Sequence, residues 1–313
     1  GTPPKTYYIY SFSVKKSLFI ILLFARILNS AVAAASRPAT GAYVADITSR
    51  ENRIAGMGQL GAANNQGTIL GPLLVALVAP ALAERSFFSI DLEPYARLIP
   101  LLIMSFLMLI AVIFVFLYLP ESNENKKDQA NRGENKKESF FDKDLRILIF
   151  CGVLIFIAFA TTQSVTAFFL QDRFFYSPLE TQERQAWALG TLALTSIIIQ
   201  LTVVQRIKGS PIKLLKWSIP FFIVSALLII YSSSLLMYLG GMAFMGLGMG
   251  LASSGYTSSA SLNANSENQG AVIGFAFAAP ALGFTIGPLL SGFMYEVSPT
   301  LPFWFIIPTF CLV

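Results

Sequence analysis

The sequence has no histidine, only two cysteines and few charges: 12% of its 313 residues are Asp, Glu, Lys or Arg, against 55% apolar. Without histidine, and with Cys151 and Cys311 far apart, it offers no ligand set for zinc or haem, and no metal or other cofactor is expected. Both cysteines lie in apolar runs and read as packing residues. The shortage of charge excludes a soluble domain, which needs more polar surface. The net charge of +5 is modest. In so apolar a chain it reports orientation across a bilayer rather than nucleic-acid binding. No window alternates as a membrane β-barrel strand does. No nucleophile, base or metal set is clustered as an enzyme requires.

What the sequence has is long apolar runs. Arg97 to Pro120, Leu145 to Leu170, Trp187 to Val204 and Trp217 to Tyr231 reach or approach the ~20 residues that cross a bilayer. The reading is a polytopic, all-α membrane protein with a lipid bilayer as its first partner. Spans are expected at about Leu18 to Asp46, Ile54 to Val78 and Arg97 to Leu119. Five more begin near Leu145, Gln185, Leu214, Leu235 and Gln269, and a cut one begins near Leu301. Glu121 to Asp144 is almost entirely polar and charged, cannot bury a core, and reads as a flexible loop.

The chain repeats itself. Glu51 to Leu74 aligns without gaps on Glu267 to Leu290 at an offset of 216, and eleven of the 24 positions are identical. Composition alone would give roughly two. The repeat includes "GTILGPLL" at Gly67 to Leu74 and "GFTIGPLL" at Gly283 to Leu290. An offset of this size holds about six helices with their loops. The expected organisation is two pseudo-symmetric six-helix bundles. Residues 1–119 are the remnant of the first (spans 4–6), 120–144 the inter-bundle loop, and 145–313 the second (spans 7–12). About three helices are expected before Gly1, and the last span is cut.

Lysine and arginine set the orientation. With the charged loop inside the cell, inner segments hold thirteen of them, from Arg50 and Arg53 to Lys213 and Lys216. Outer segments hold seven, although Lys15 and Lys16 run against the bias. The protein is then a multi-pass component of the cell (inner) membrane if bacterial.

These residues resemble the major facilitator superfamily, and within it the twelve-span drug:proton antiporters of the tetracycline-efflux type. "FARILNSAVAAASRPATGAYVADITSRENR" resembles that family's fourth span and the following loop, with Arg26 where the family has its fourth-span arginine. "GTILGPLL" resembles the fifth-span antiporter signature, "FLQDRFFYSP" the segment after span seven, and "NQGAVIGFAFAAPALGFTIGPLL" the eleventh span. The signature departs at Val75 and Ala76, where the family has glycines, while the second copy keeps Gly292. The resemblance implies proton-coupled efflux of a small amphipathic compound or drug by alternating access. It also implies that Asp46 latches one conformation by pairing with a basic loop upstream of Gly1. On the residues alone, Asp46 is equally a helix-end acid beside Arg50 and Arg53.

Charges and amides inside spans are the candidate pathway residues. Arg26 and Arg37 are eleven residues apart, about three turns, and face nearly the same way. Each is either a functional group or a structural one, paired or snorkelling to the surface. Gln59 and Gln66 share a face of the second visible span; Gln163 and Gln200 are the corresponding candidates later in the chain. Their alternative is interhelical hydrogen bonding. None of the seventeen acids sits in the middle of a visible span, so proton coupling has no visible carrier. Gly67, Gly71 and Pro72, and likewise Gly283, Gly287 and Pro288, are read as a hinge and seal between bundles, or as tight static packing. A facilitator or symporter for a nutrient, and a non-transporting receptor or scaffold, remain as other readings. A monomer is expected.

Overall fold

The computed structural model describes residues 5–49, 51–64, 67, 86–87, 90–91, 99–119, 143–207, 209–262 and 269–312, some of them by backbone alone. Gln66, Gly71, Pro72 and most of the charged loop, each with an expectation above, lie outside these residues. The described architecture is helical throughout, apart from a minimal antiparallel pairing of β1 (Ser86–Phe87) with β2 (Ile90–Asp91). The helices are α1 (Lys5–Ile47), α2 (residues 53–64), α3 (Ile99–Tyr118), α4 (Lys143–Phe174) and α5 (Pro178–Thr202). Then come α6 (Ile212–Ile230), α7 (Leu235–Leu262), α8 (Gln269–Val297), α9 (Leu301–Trp304) and α10 (Ile306–Leu312).

Among the described residues, five stretches are long and apolar enough to cross a membrane: Leu145–Phe174, Glu180–Arg206, Ile212–Ile230, Leu235–Leu262 and Gly274–Val297. Shorter apolar helices run over Phe19–Val32, Leu102–Tyr118 and Leu301–Cys311. The chain is an integral, multi-pass membrane protein.

Helix ends differ from the sequence expectation where capping decides them. α5 starts at Pro178 rather than near Gln185, because Ser177 and Glu180 form a capping box and Pro178 takes the first turn. The Glu180 carboxylate accepts from the Ser177 amide at 2.9 Å. α1 is one 43-residue helix with Pro38 inside it, longer at its start than the expected span. The last expected span is broken at Phe305 into α9 and α10.

Helices α4 to α10 enclose one core, with Phe156, Phe169, Phe222, Tyr238, Met242, Tyr256, Phe303 and Phe310 at its centre. Phe310 stacks on Phe222 at 3.8 Å between ring centroids and so ties α10 to α6. Lipid gives apolar helices no reason to associate, so shape and hydrogen bonds must do it. α7 shows both. Its Gly241 carbonyl accepts from Ser225 of α6 at 2.7 Å, and its Ala243 carbonyl accepts from Thr195 of α5 at 3.0 Å. Tyr256 of α7 crosses the surface of Gly152 on α4 and donates to the Ala276 carbonyl of α8 at 3.0 Å. Pro280 follows Ala276 by four residues and has no N–H, so that carbonyl lacks its helical donor. The tyrosine supplies one from outside the helix. Cys151 is half-buried, whereas Cys311, expected to pack, is exposed.

Candidate functional site

The repeated segments meet the rest of the protein in different ways. On α8, Gly283 and Gly287 lie against the backbone of α4. A Cβ on Gly283 would come within 2.5 Å of Phe156 Cβ and 2.9 Å of the Ile157 nitrogen. One on Gly287 would come within 2.6 Å of Ala160 Cβ and 2.9 Å of the Thr161 nitrogen. Thr161 donates to the Gly287 carbonyl at 3.3 Å. Pro288 is exposed, one residue on. On α2 the contacts come earlier in the repeat. A Cβ on Gly58 would lie 2.9 Å from Val204 Cγ1, and one on Gly61 2.6 Å from Gln200 Nε2. At Gly67 it would meet nothing within 4 Å among the described residues.

The polar candidates divide likewise. Gln200 is fully buried on α5, at 0% exposure, and donates to Ser253 Oγ of α7 at 3.3 Å. The amide therefore sits between α2, α5 and α7. Gln163 is half-buried on α4, in a stretch where Thr162, Ser164 and Thr166 turn their hydroxyls back onto their own helix. Gln59 is exposed on α2, two residues before Gly61. Arg26 and Arg37 lie on α1, and their side chains are outside the described part of the structure. Asp46 is half-buried in the last turn of α1. Among the described residues, no group of three His, Cys, Asp or Glu is placed to hold a metal ion.

Sequence reasoning passed over the residue that joins these parts. In the sequence Arg53 reads as an inner-loop charge and a neighbour of Asp46, not as a contact between helices. It is 7% exposed, donates from Nη1 to Ser261 Oγ of α7 at 2.6 Å, and from Nη2 to the Thr48 carbonyl at 2.9 Å. Beside it Ile54 packs with Val204, Leu214 and Leu251. A second cluster joins Ala45 of α1, Met57 of α2 and Phe277 of α8. The one available signal was the spacing of Ser253, Thr257 and Ser261, four residues apart on α7, which puts hydroxyls on one face.

The profile of the Major Facilitator Superfamily matches residues 6–281. The chain is 26% identical over 295 residues to Multidrug resistance protein 2 of Bacillus subtilis (strain 168), covering 91% of this chain and 69% of that protein. It is 24% identical over 316 residues to Multidrug resistance protein 1 of the same organism, covering 96% of this chain and 75% of that protein. The crystal structure of the human organic anion transporter MFSD10 (TETRAN) superposes with a TM-score of 0.69 at 21% identity, over 88% of this chain and 67% of that one. With the family profile spanning most of its residues, the chain belongs to the Major Facilitator Superfamily, whose members are membrane transporters and not enzymes.

Proposed function

We propose that this transporter exports a small, partly apolar compound or drug in exchange for protons, by alternating access between two helical bundles. Residues 1–119 belong to one bundle, residues 145–313 to the other, and 120–144 form the cytoplasmic loop between them. The observation that carries the direction of transport is the pair of relatives named for multidrug resistance, each aligned over nine-tenths or more of this chain. The repeat of Glu51 to Leu74 at Glu267 to Leu290 suits two bundles that rock about a shared site. Gln59, Gln66, Gln163 and Gln200 are the proposed lining, Arg26 and Arg37 the charged groups of the pathway, and Asp46 a latch. Gly67, Gly71, Pro72, Gly283, Gly287 and Pro288 are the proposed hinge and packing positions.

The test is efflux of a fluorescent amphipathic dye from vesicles carrying the protein, driven by an imposed pH gradient. Dye movement that follows the gradient and collapses with a protonophore is the expected result. Arg26→Ala should abolish it at matched protein levels and Arg26→Lys retain part, since lysine keeps the charge but loses the planar fork. Gradient-independent movement would refute proton coupling, and wild-type rates for Arg26→Ala would remove that residue from the pathway.

A further inference from the structure

α2 is held against α5 and α7 at one end. Arg53, in its first turn, binds Ser261, 208 positions along the chain in the last turn of α7, and at the same time the carbonyl of Thr48 in the α1–α2 turn. One guanidinium thus ties the start of α2 to the end of α7. Next come the apolar contacts of Ile54 with Val204, Leu214 and Leu251, then Gly58 on Val204 and Gly61 under the Gln200 amide. At Gly67 the contact has ended among the described residues. On the α7 side the seam follows Ser253, Thr257 and Ser261, one hydroxyl per helical turn.

We propose that Arg53 and Ser261 are the latch of a gate formed by α2 and α7. The gate is shut in this structure at the end carrying the α1–α2 turn and must part there during transport. Arg53 is a positioning residue: it holds two helices together rather than touching the transported compound. The chemistry of the seam suits a contact that is made and broken repeatedly. Hydroxyls and an amide exchange protein partners for water at little net cost, whereas a fully apolar seam would resist wetting. A hydrogen bond from a charged donor is stronger than a neutral one, so the guanidinium biases the closed arrangement without sealing it permanently. The latch extends the transport reading above, but its test needs no transported compound.

The experiment measures how fast an impermeant maleimide modifies Thr257→Cys in protein whose Cys151 and Cys311 are replaced by alanine, reconstituted in liposomes permeabilised so that both faces are reached. Ser261→Ala and Arg53→Gln should each speed labelling roughly tenfold, equivalent to ~1.4 kcal/mol of closed-state bias. The double variant should be no faster than Arg53→Gln alone, because the bond that Ser261→Ala removes is already lost with the guanidinium. Arg53→Lys should recover much of the slow rate. Should Arg53→Gln fail to fold, Ser261→Ala, which loses a single oxygen, still decides. Unchanged labelling in Ser261→Ala, or multiplying effects in the double variant, would overturn the latch. The expected labelling pattern in a protein that moves no dye would uphold the latch while removing the transport reading.

Discussion

The two copies of the repeat share glycines but spend them on different neighbours. In the first copy Gly58 is pressed against Val204 while Gly67 meets nothing within 4 Å among the described residues. In the second the pattern inverts: Gly274 meets nothing within 4 Å among the described residues, and its successors Gly283 and Gly287 are jammed against α4. Gly58 pairs with Gly274 in the repeat, and Gly67 with Gly283, so identical residues sit in opposite surroundings. The interfaces differ in kind as well. The α4–α8 contact is backbone against backbone, which cannot yield by turning a side chain. At Gly61 the α2 contact is backbone against the end of a flexible glutamine. A glycine in a repeat therefore marks a permitted close approach; what approaches is decided by the rest of the fold.

The largest expected effect breaks this comparison at its sharpest point. Gly287→Leu puts a bulky side chain where Ala160 and the Thr161 nitrogen lie within 3 Å of a Cβ position. Overpacking costs ~1–3 kcal/mol and sometimes more, and a backbone neighbour puts it at the upper end. Gly67→Leu should cost almost nothing. Both raise hydrophobicity, so membrane insertion should survive in both. Thermal unfolding in detergent should show a large fall for Gly287→Leu alone, and equal falls would mean that Gly67 is also tightly packed.

Tyr256→Phe comes next. It keeps the ring that lies over Gly152 and removes only the donor to the Ala276 carbonyl. Leaving a buried acceptor unpaired costs ~1–3 kcal/mol. If the missing Pro280 N–H is the reason this bond exists, Pro280→Ala should restore an internal donor and shrink the cost of Tyr256→Phe. A double-mutant cycle on unfolding temperatures reads this directly. A cost for Tyr256→Phe that is unchanged in the Pro280→Ala background would show that the bond has no connection with the proline.

A smaller effect sharpens the contrast between yielding and unyielding neighbours. Gly61→Ala and Gly283→Ala add the same methyl group. At Gly61 it meets the Gln200 amide, which can turn aside at the loss of its bond to Ser253. Such interhelical bonds average ~0.6 kcal/mol in membranes. At Gly283 it meets the α4 backbone. Gly283→Ala should lower the unfolding temperature clearly more than Gly61→Ala, and the reverse order would overturn this account of the two interfaces.

The helical architecture was legible because a bilayer demands long apolar runs, and the repeat because it keeps Gly, Pro and Leu at fixed spacing. Local chemistry explains the misplaced starts: the capping box at Ser177 and Glu180 was present in the sequence but lies outside the apolar run that marked α5. Partners were not legible. Periodicity places Gly283 and Gly287 on one face of α8 but does not say that α4 covers it. Arg53 read as one of several loop charges because Ser261, its acceptor on α7, lies 208 positions along the chain and carries no charge that a sequence could match to it. Tyr256 gave no signal at all, since its hydroxyl's acceptor is a backbone carbonyl of the next helix.

The smallest expected effect tests whether shape alone holds α4 to α8. Thr161 donates to the Gly287 carbonyl at 3.3 Å, a long bond at the point where the two backbones come closest. Thr161→Val keeps the side chain's volume and removes the hydroxyl. The carbonyl has two lone pairs and stays within a helix, so losing this donor need not leave it bare. The loss should then fall at or below the ~0.6 kcal/mol average for interhelical bonds, a shift of unfolding temperature near the limit of measurement. If Thr161→Val instead destabilises as much as Gly287→Leu, the hydrogen bond and not the glycine contact fixes the distance between the helices. Gly283 and Gly287 would then be permissive residues in an interface held by a polar anchor.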